Sequence, residues 1–197
     1  MPIQITNFRN GGNIIDFQPV FEMFNTELSN AGIALELVCA GGFVMQLHGY
    51  RGTMDIDAFY KSDAMIDNII RKVGDEFEIN RPDELWLNNS IMNMNSLPPD
   101  DSCEIVYHFS NLTVKAVSLV YLIGMKLQSG RGQDLKDVAD ILRTEKNERP
   151  LDLMTLLGSI GFTPDISDVL DSYGTAHGID WLENFYKANQ TELNKYF

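Results

Sequence analysis

Hydrophobic and polar positions along the chain follow two periods, and the mixture of the two changes near residue 118. In the first 117 residues, runs with the helical period of about 3.6 lie between runs with the strand period of about 2. From residue 118 onward only the helical period is found. This order predicts an α+β fold, in which a small mixed β-sheet flanked by helices (1–117) is followed by a C-terminal helical bundle (118–197) packed on it.

Glycine, proline and capping residues set the boundaries of these elements. The first helix, 16–31, is predicted to begin at Asp16 as its N-cap and to end before Gly32. The polar stretch 81–102 contains three prolines and is predicted to mix a helix with a loop. The other predicted strands are 35–39, 55–60, 104–109 and 112–117, and the other predicted helices are a short one ending near residue 48, then 63–74, 118–129, 133–144, 150–159, 165–174 and 179–195.

The composition is that of a globular protein with a large excess of acid. Of 197 residues, 44% are hydrophobic, and 15 Lys and Arg face 28 Asp and Glu, for a formal net charge of −13. No run approaches the ~18–20 apolar residues of a membrane helix, and residues 1–4 lack the features of a signal peptide. Cys39 and Cys103 lie in strand-like runs and are expected to be reduced. We therefore expect a cytoplasmic protein with no membrane partner.

The negative charge is concentrated in one part of the chain. Residues 52–111 carry 4 basic and 12 acidic side chains, whereas residues 112–145 carry 5 and 4 and form the only segment that is not acidic. A surface this acidic repels a polyanion, and affinity for nucleic acid depends largely on phosphate neutralisation. Tight binding of an extended nucleic acid by this chain alone is therefore not expected, although a small anion could be held locally.

The candidate chemistry lies between residues 38 and 59. Gly41 and Gly42 follow a predicted strand and open a helix, so that backbone N–H groups can approach a phosphate closely. Asp55 and Asp57 leave the same face of the next strand, because they are two residues apart. No thiol or imidazole cluster accompanies them, which favours an oxygen-preferring cation such as Mg²⁺. A phosphate cradle beside paired carboxylates is the arrangement that nucleotidyl transfer requires.

Each of these features also has a simpler interpretation. A Gly-Gly pair is most often only a turn, and an Asp-x-Asp pair on a strand can be a solvated face. It is the combination, in this order and with Arg51 and Thr53 between its parts, that is specific.

The combined pattern resembles a known signature. Gly41-Gly42, Arg51, Thr53 and Asp55-Ile56-Asp57 are similar to the nucleotidyltransferase motif of the DNA polymerase β superfamily, in particular its small bacterial branch of uncharacterised proteins and AbiE-type toxins. The later segments 124–127 and 130–142 resemble the Lys-Leu and Arg-Asp-x-x-Asp helices of that branch. The resemblance covers about residues 35–145.

The resemblance implies a Mg²⁺-dependent transfer of NMP from a nucleoside triphosphate to an acceptor hydroxyl, with release of pyrophosphate. Asp55 and Asp57 would ligate two Mg²⁺ ions, which lower the pKa of the acceptor and neutralise the leaving group. Lys126 would face a phosphate, although a surface lysine that only covers apolar neighbours is the alternative. The nucleotide-binding residues implied in this way are Gly41, Gly42, Arg51, Thr53, Lys126, Arg131, Asp134 and Asp137.

Active members of the superfamily carry a third carboxylate on a neighbouring strand. The nearest candidate is Glu104, flanked by Cys103 and Ile105, and it completes the predicted catalytic set of Asp55, Asp57 and Glu104. If Glu104 faces solvent, the site has two metal ligands and lacks a general base.

Two further classes of function stay open at this stage. One is a catalytically degenerate nucleotide-binding protein, and the other is one half of a toxin–antitoxin type pair. For an enzyme, the charge favours a protein or small-molecule acceptor, and a tRNA acceptor would need a basic partner. A homodimer or a protein partner is compatible with all three.

Overall fold

The computed structural model of the protein describes residues 14–93, 96–145 and 149–197. Residues 1–4, which entered the prediction of location, lie outside the described residues. The chain divides into two compact units, the first ending at Ser118 and the second beginning at Leu119. The packing of the helical region on the core stays a prediction.

The first unit contains a five-stranded mixed sheet with the strand order β3-β2-β1-β5-β4. Strands β1 and β5 pair in parallel, as do β2 and β3, whereas β1 pairs antiparallel with β2 and β4 antiparallel with β5. This mixed sheet with its helices confirms the predicted α+β fold. The elements in chain order are α1 (Gln18–Asn30), β1 (Leu35–Cys39), α2 (Gly41–Leu47), β2 (Ile56–Phe59), α3 (Ala64–Glu76), β3 (Leu87–Asn88), β4 (Cys103–His108) and β5 (Leu112–Val117).

The core of this unit forms where α1 packs against α3 and the sheet. Trp86 lies at its centre, with its ring against three phenylalanines of the α1 segment and its indole N–H donating to the backbone oxygen of Ile70 at 2.8 Å. The N-cap of α1 is Phe17 and not Asp16. Burial of the Phe17 ring fixes that position, and the Asp16 carboxylate instead accepts from the backbone N–H of Gln18 at 3.0 Å.

The stretch 81–102 contains helical turns and loop, as predicted, and also a strand that is not predicted. Its described residues form two short 3₁₀ turns, Ser90–Asn93 and Asp100–Ser102, and the two-residue strand β3. Strand β3 forms because Trp86 and Leu87 are buried, and a buried pair of this length is too short to produce a recognisable period.

The described residues of the second unit form helices joined by turns and short loops. Helix α5 packs against α4 and α7, and α7 in turn packs against α6 and α8. Gly124 in α4 is covered by the ring of Phe162, so that a side chain at Gly124 would overlap that ring. The helices are α4 (Leu119–Ser129), α5 (Gly132–Glu145), α6 (Pro150–Ser159), α7 (Ile166–His177) and α8 (Ile179–Leu193).

None of the helices in the described ranges has the length and apolarity required to cross a bilayer.

Candidate functional site

The turn between β1 and α2 places the backbone directly against a carboxylate of β2. The N–H of Ala40 donates to the backbone oxygen of Asp57 at 2.9 Å. Gly41 has φ +58°, and a Cβ at this position would lie 2.8 Å from Asp57 Oδ2. Because only glycine takes this conformation without strain and leaves this space, Gly41 is required by the geometry of the site.

The second glycine is enclosed by the loop that leads into β2. A Cβ at Gly42 would overlap Thr53 Oγ1 and would lie 3.4 Å from the Arg51 guanidinium. The structure thus brings Gly42, Arg51 and Thr53 together, as the motif predicts. The cationic group beside the start of α2 suits an anionic ligand.

Thr53 connects this loop to the first carboxylate. Its hydroxyl donates to Asp55 and lies 3.0 Å from both the backbone oxygen and Oδ1 of that residue. The N–H of Thr53 donates to Gln46 Oε1 at 3.0 Å, and Gln46 Nε2 donates to the backbone oxygen of Ile15 at 2.8 Å. Gln46 therefore holds the loop that orients Asp55. The sequence gives no sign of this role, because a glutamine in a short helix carries no pattern.

Asp57 is half-buried at the centre of the site. Burial raises its pKa above the ordinary range, and the negative charge of Asp55 raises it further. Hydrogen bonds from the side chains of Asn88 and Ser90 act in the opposite direction, and the charge of Glu84 adds to the increase. The ionised form of Asp57 is therefore electrostatically unfavourable in the protein alone, and a bound cation would relieve this.

One cationic side chain already lies beside the carboxylates. Arg81 Nη1 is 3.8 Å from Asp55 Oδ2 and 2.8 Å from Glu84 Oε2, and its side chain is 48% exposed. An arginine this exposed can move aside when a stronger cation binds Asp55. Arg81 is in none of the predicted site sets, since only the fold brings the 81–84 turn to Asp55.

The donor set fits a hard divalent cation. Asp55 and Asp57 supply carboxylate oxygens, with the hydroxyls of Thr53 and Ser90 close by, and oxygen ligands are those that Mg²⁺ prefers. Within the part of the chain that the structure describes, there is no group of three or more His, Cys, Asp or Glu side chains that could hold a metal. The anionic groups that this site offers to a cation are the carboxylates of Asp55 and Asp57.

Glu104 does not join this pair. It lies exposed on β4, and β1 and β5 separate that strand from β2. With neighbouring strands about 4.8 Å apart, the distance across the sheet is about 14 Å. The prediction of Glu104 as the third carboxylate of the site is therefore not supported by the sheet order. The strand pattern correctly indicates a β-strand but does not reveal its position in the sheet.

The residue opposite Asp57 on the neighbouring strand is an amide. In the parallel pair of β2 and β3, Asp57 is in register with Asn88, and Ser90 begins the 3₁₀ turn two residues after Asn88. Neither Asn88 nor Ser90 is predicted as a site residue. The signal that could have found Asn88 is its place just after the buried pair Trp86-Leu87, at the end of a strand.

In the second unit, Lys126 is 5% exposed and makes two ion pairs, 2.7 Å to Asp134 Oδ1 and 2.6 Å to Asp137 Oδ2. The alternative of a surface lysine is therefore wrong. Arg131 also binds Asp134, at 2.9 Å, and Gln133 binds Asp137 at 3.0 Å. The predicted residues Lys126, Arg131, Asp134 and Asp137 thus form one cluster.

The positive and negative side chains of the cluster offset one another's charge. Burial alone would raise the pKa of Asp134, but hydrogen bonds from Lys126 and Ser129 outweigh it and hold the pKa below its ordinary range. The Lys126 ammonium faces two carboxylates, so a phosphate would have to compete with both of them. A direct phosphate contact by Lys126 stays a prediction, and the cluster in itself has a clear role in joining α4 to α5.

Gly41→Ala is expected to lower the affinity for nucleoside triphosphate at least about 10-fold and to destabilise the first unit by about 1–2 kcal/mol. An alanine is sterically strained in the left-handed conformation, and its methyl group would lie against Asp57. Gly158→Ala is the matched control, because it has open space at a helical position and should add up to about 1 kcal/mol of stability. Nucleotide titration and thermal unfolding measure both variants. Unchanged affinity in Gly41→Ala would contradict the proposed cradle.

Asp57→Asn is expected to raise the Tm of the metal-free protein, because it removes a carboxylate whose raised pKa makes its ionised form unfavourable. The folded state binds the Asp57 proton more tightly than the unfolded state. The gain from the substitution is therefore larger at about pH 8 than at about pH 5.5, where more of Asp57 is protonated. Thermal unfolding at the two pH values in chelator measures the difference, and a Tm gain that is equal or larger at the lower pH would contradict this electrostatic picture.

Comparison with known proteins gives one match. A family described as "Nucleotidyltransferase of unknown function (DUF6036)" matches residues 17–149, about two thirds of the chain. No curated protein and no solved structure matches the chain. The matched range contains Gly41, Gly42, Asp55 and Asp57 as well as the Lys126 cluster. The chain therefore belongs to the nucleotidyltransferase family DUF6036, whose function is unknown.

Proposed function

We propose that this protein is a Mg²⁺-dependent nucleotidyltransferase that transfers NMP from a nucleoside triphosphate to an acceptor hydroxyl and releases pyrophosphate. The observation that carries the proposal is the close approach of the Gly41 backbone to the Asp57 carboxylate. A phosphate chain bound against the Gly41 backbone would lie next to the carboxylates that would hold a divalent cation, and this proximity supports the proposal. Membership of a nucleotidyltransferase family supports the same reaction class.

The residues of the first unit have separate roles in this proposal. In this proposal the backbone at Gly41 and Gly42 contacts the triphosphate, and the Arg51 guanidinium near Gly42 offsets phosphate charge. Asp55, oriented by Thr53, and Asp57 hold Mg²⁺. When bound, Mg²⁺ neutralises charge on the phosphates of the transition state. The protein's own contribution is to position the triphosphate in line with the acceptor.

The bond changes are those of a substitution at the α-phosphorus. The acceptor oxygen forms a bond to that phosphorus, the bond from the phosphorus to the pyrophosphate oxygen breaks, and the hydroxyl proton leaves to solvent or a base. A net charge of −13 favours a protein or small-molecule acceptor over an extended nucleic acid. A tRNA acceptor would require a basic partner protein.

A second candidate is a non-catalytic nucleotide-binding or interaction protein, as in a toxin–antitoxin type pair. It is favoured by one observation: the described residues include no third carboxylate grouped with Asp55 and Asp57. Without such a base, the acceptor hydroxyl would be activated less effectively.

Incubation with each of the four NTPs, labelled at the α-phosphate, separates the two candidates. The full-length protein is mixed with Mg²⁺ and with three pools of acceptors from a bacterial lysate: proteins, tRNA and small molecules. An enzyme transfers label into one pool, and the transfer stops when Mg²⁺ is chelated. Nucleotide binding with no transfer into any pool would support the non-catalytic candidate instead.

A further inference from the structure

The number of divalent cations at the site depends on what faces Asp57 from the neighbouring strand. Asn88 is in register with Asp57 in the parallel β2–β3 pair, so the two side chains lie on the same face of the sheet. Asn88 is the one strand position directly opposite Asp57 on the β3 side. An anionic residue there would add a third carboxylate ligand, whereas an asparagine could ligate a cation only through its amide oxygen.

The Asn88 amide has a fixed orientation. Its Oδ1 accepts two hydrogen bonds from Ser90, one from the backbone N–H at 3.1 Å and one from the hydroxyl at 2.6 Å. Because a backbone N–H can only donate, it must face the amide oxygen and not the amide nitrogen. The orientation of the amide is therefore determined by the backbone of the 3₁₀ turn that follows β3.

This orientation directs a donor toward the carboxylate. With Oδ1 occupied by Ser90, the Asn88 amide nitrogen is the group that faces and hydrogen-bonds Asp57. An amide nitrogen carries no lone pair available to a metal ion, and both acceptor positions of Oδ1 are already used. Asn88 therefore positions Asp57 and does not ligate a cation.

We infer that the site binds one divalent cation through Asp55 and Asp57, and that Asn88, held by Ser90, is the residue that prevents a second from binding. This inference rests on the metal site of the proposed function and replaces the expectation of two Mg²⁺ ions. The two carboxylates carry a charge of about −2, which one divalent cation balances. Among the described residues no third carboxylate is grouped with Asp55 and Asp57 for a second cation, which would also face the partly positive amide hydrogens of Asn88.

Asn88→Asp tests the inference directly, because it exchanges the donor for a carboxylate of nearly equal size at the same position. We expect it to raise the number of bound cations from one to two. Asn68→Asp is the matched control, since it adds the same charge at an exposed position on α3 and should leave the number at one. Circular dichroism confirms that each variant is folded.

The readout is the binding of Mn²⁺ alone to the full-length protein, measured from the loss of the free-ion signal in electron paramagnetic resonance. The Mn²⁺ that the double variant Asp55→Asn/Asp57→Asn still binds is taken as non-specific binding to the acidic surface and is subtracted. The difference is the number of specific sites. One site in the wild type and two in Asn88→Asp support the inference. Two sites in the wild type overturn it but leave the proposed metal site intact, and the same is true of one site in both proteins. No site in the wild type overturns the metal site itself, and with it the proposed function.

Discussion

Asp57→Asn is expected to reduce Mg²⁺-dependent pyrophosphate release at least about 100-fold, while the fold is retained. The substitution removes one of the two carboxylates that would hold Mg²⁺, and loss of a metal ligand removes charge stabilisation that is worth several kcal/mol in the transition state. The asparagine oxygen can still accept the hydrogen bond that Asn88 gives to Asp57. The loss should therefore be one of activity and not of structure.

The control for this prediction makes the same chemical change outside the site. Asp101 is an exposed acid in the first unit, and Asp101→Asn should keep full activity. Pyrophosphate release is measured for both variants with the NTP and acceptor pool that the wild type uses. If Asp57→Asn and Asp101→Asn were equally active, the assignment of Asp57 to the metal site would be refuted.

Lys126→Met is expected to destabilise the protein by about 3–5 kcal/mol, the cost of leaving a buried charge without its partner. Asp137 is fully buried, and Lys126 Nζ lies 2.6 Å from its Oδ2. Although Gln133 also bonds Asp137, a neutral amide replaces only part of the lost interaction. For a chain of this length, the expected fall in Tm is on the order of 10 °C.

Lys136→Met is the matched control for Lys126→Met. Lys136 is exposed on α5, next in sequence to Asp137, and its replacement should change stability by less than about 0.5 kcal/mol. Asp137→Asn combined with Lys126→Met should recover part of the loss, because it removes the buried negative charge that Lys126 offsets in the wild type. If Lys126→Met kept its stability and lost only nucleotide affinity, Lys126 would be a phosphate ligand and not a structural residue.

The part of the site that the sequence predicts is the part encoded by local spacing. Gly41 and Gly42 follow a strand, and Asp55 and Asp57 lie just before and within the next one, so residues less than 20 positions apart make up the proposed cradle and the carboxylates. Thr53 and Arg51 come with the same loop. The strands and helices around them were predictable for the same reason, because their periods are local.

The part that the sequence does not predict depends on sheet order. Glu104 and Asn88 both follow apolar residues in strand-like surroundings, and nothing in either segment tells which strand pairs with β2. The acid was the natural choice on chemical grounds, yet β3 with Asn88 is the neighbour of β2. The burial of Lys126 could likewise not be predicted from the sequence, because its partners Asp134 and Asp137 lie on the next helix.

The most direct test of the proposed site is a thermal-shift measurement with each of the four NTPs, with and without Mg²⁺, on the wild type and on Asp57→Asn. A ligand at about 100 times its Kd adds about 2.7 kcal/mol of stability, which gives a clear shift. We predict a Mg²⁺-dependent rise in Tm for at least one NTP in the wild type, and none in Asp57→Asn. An equal rise in both proteins, or no rise with any NTP, would contradict nucleotide binding at Gly41, Asp55 and Asp57.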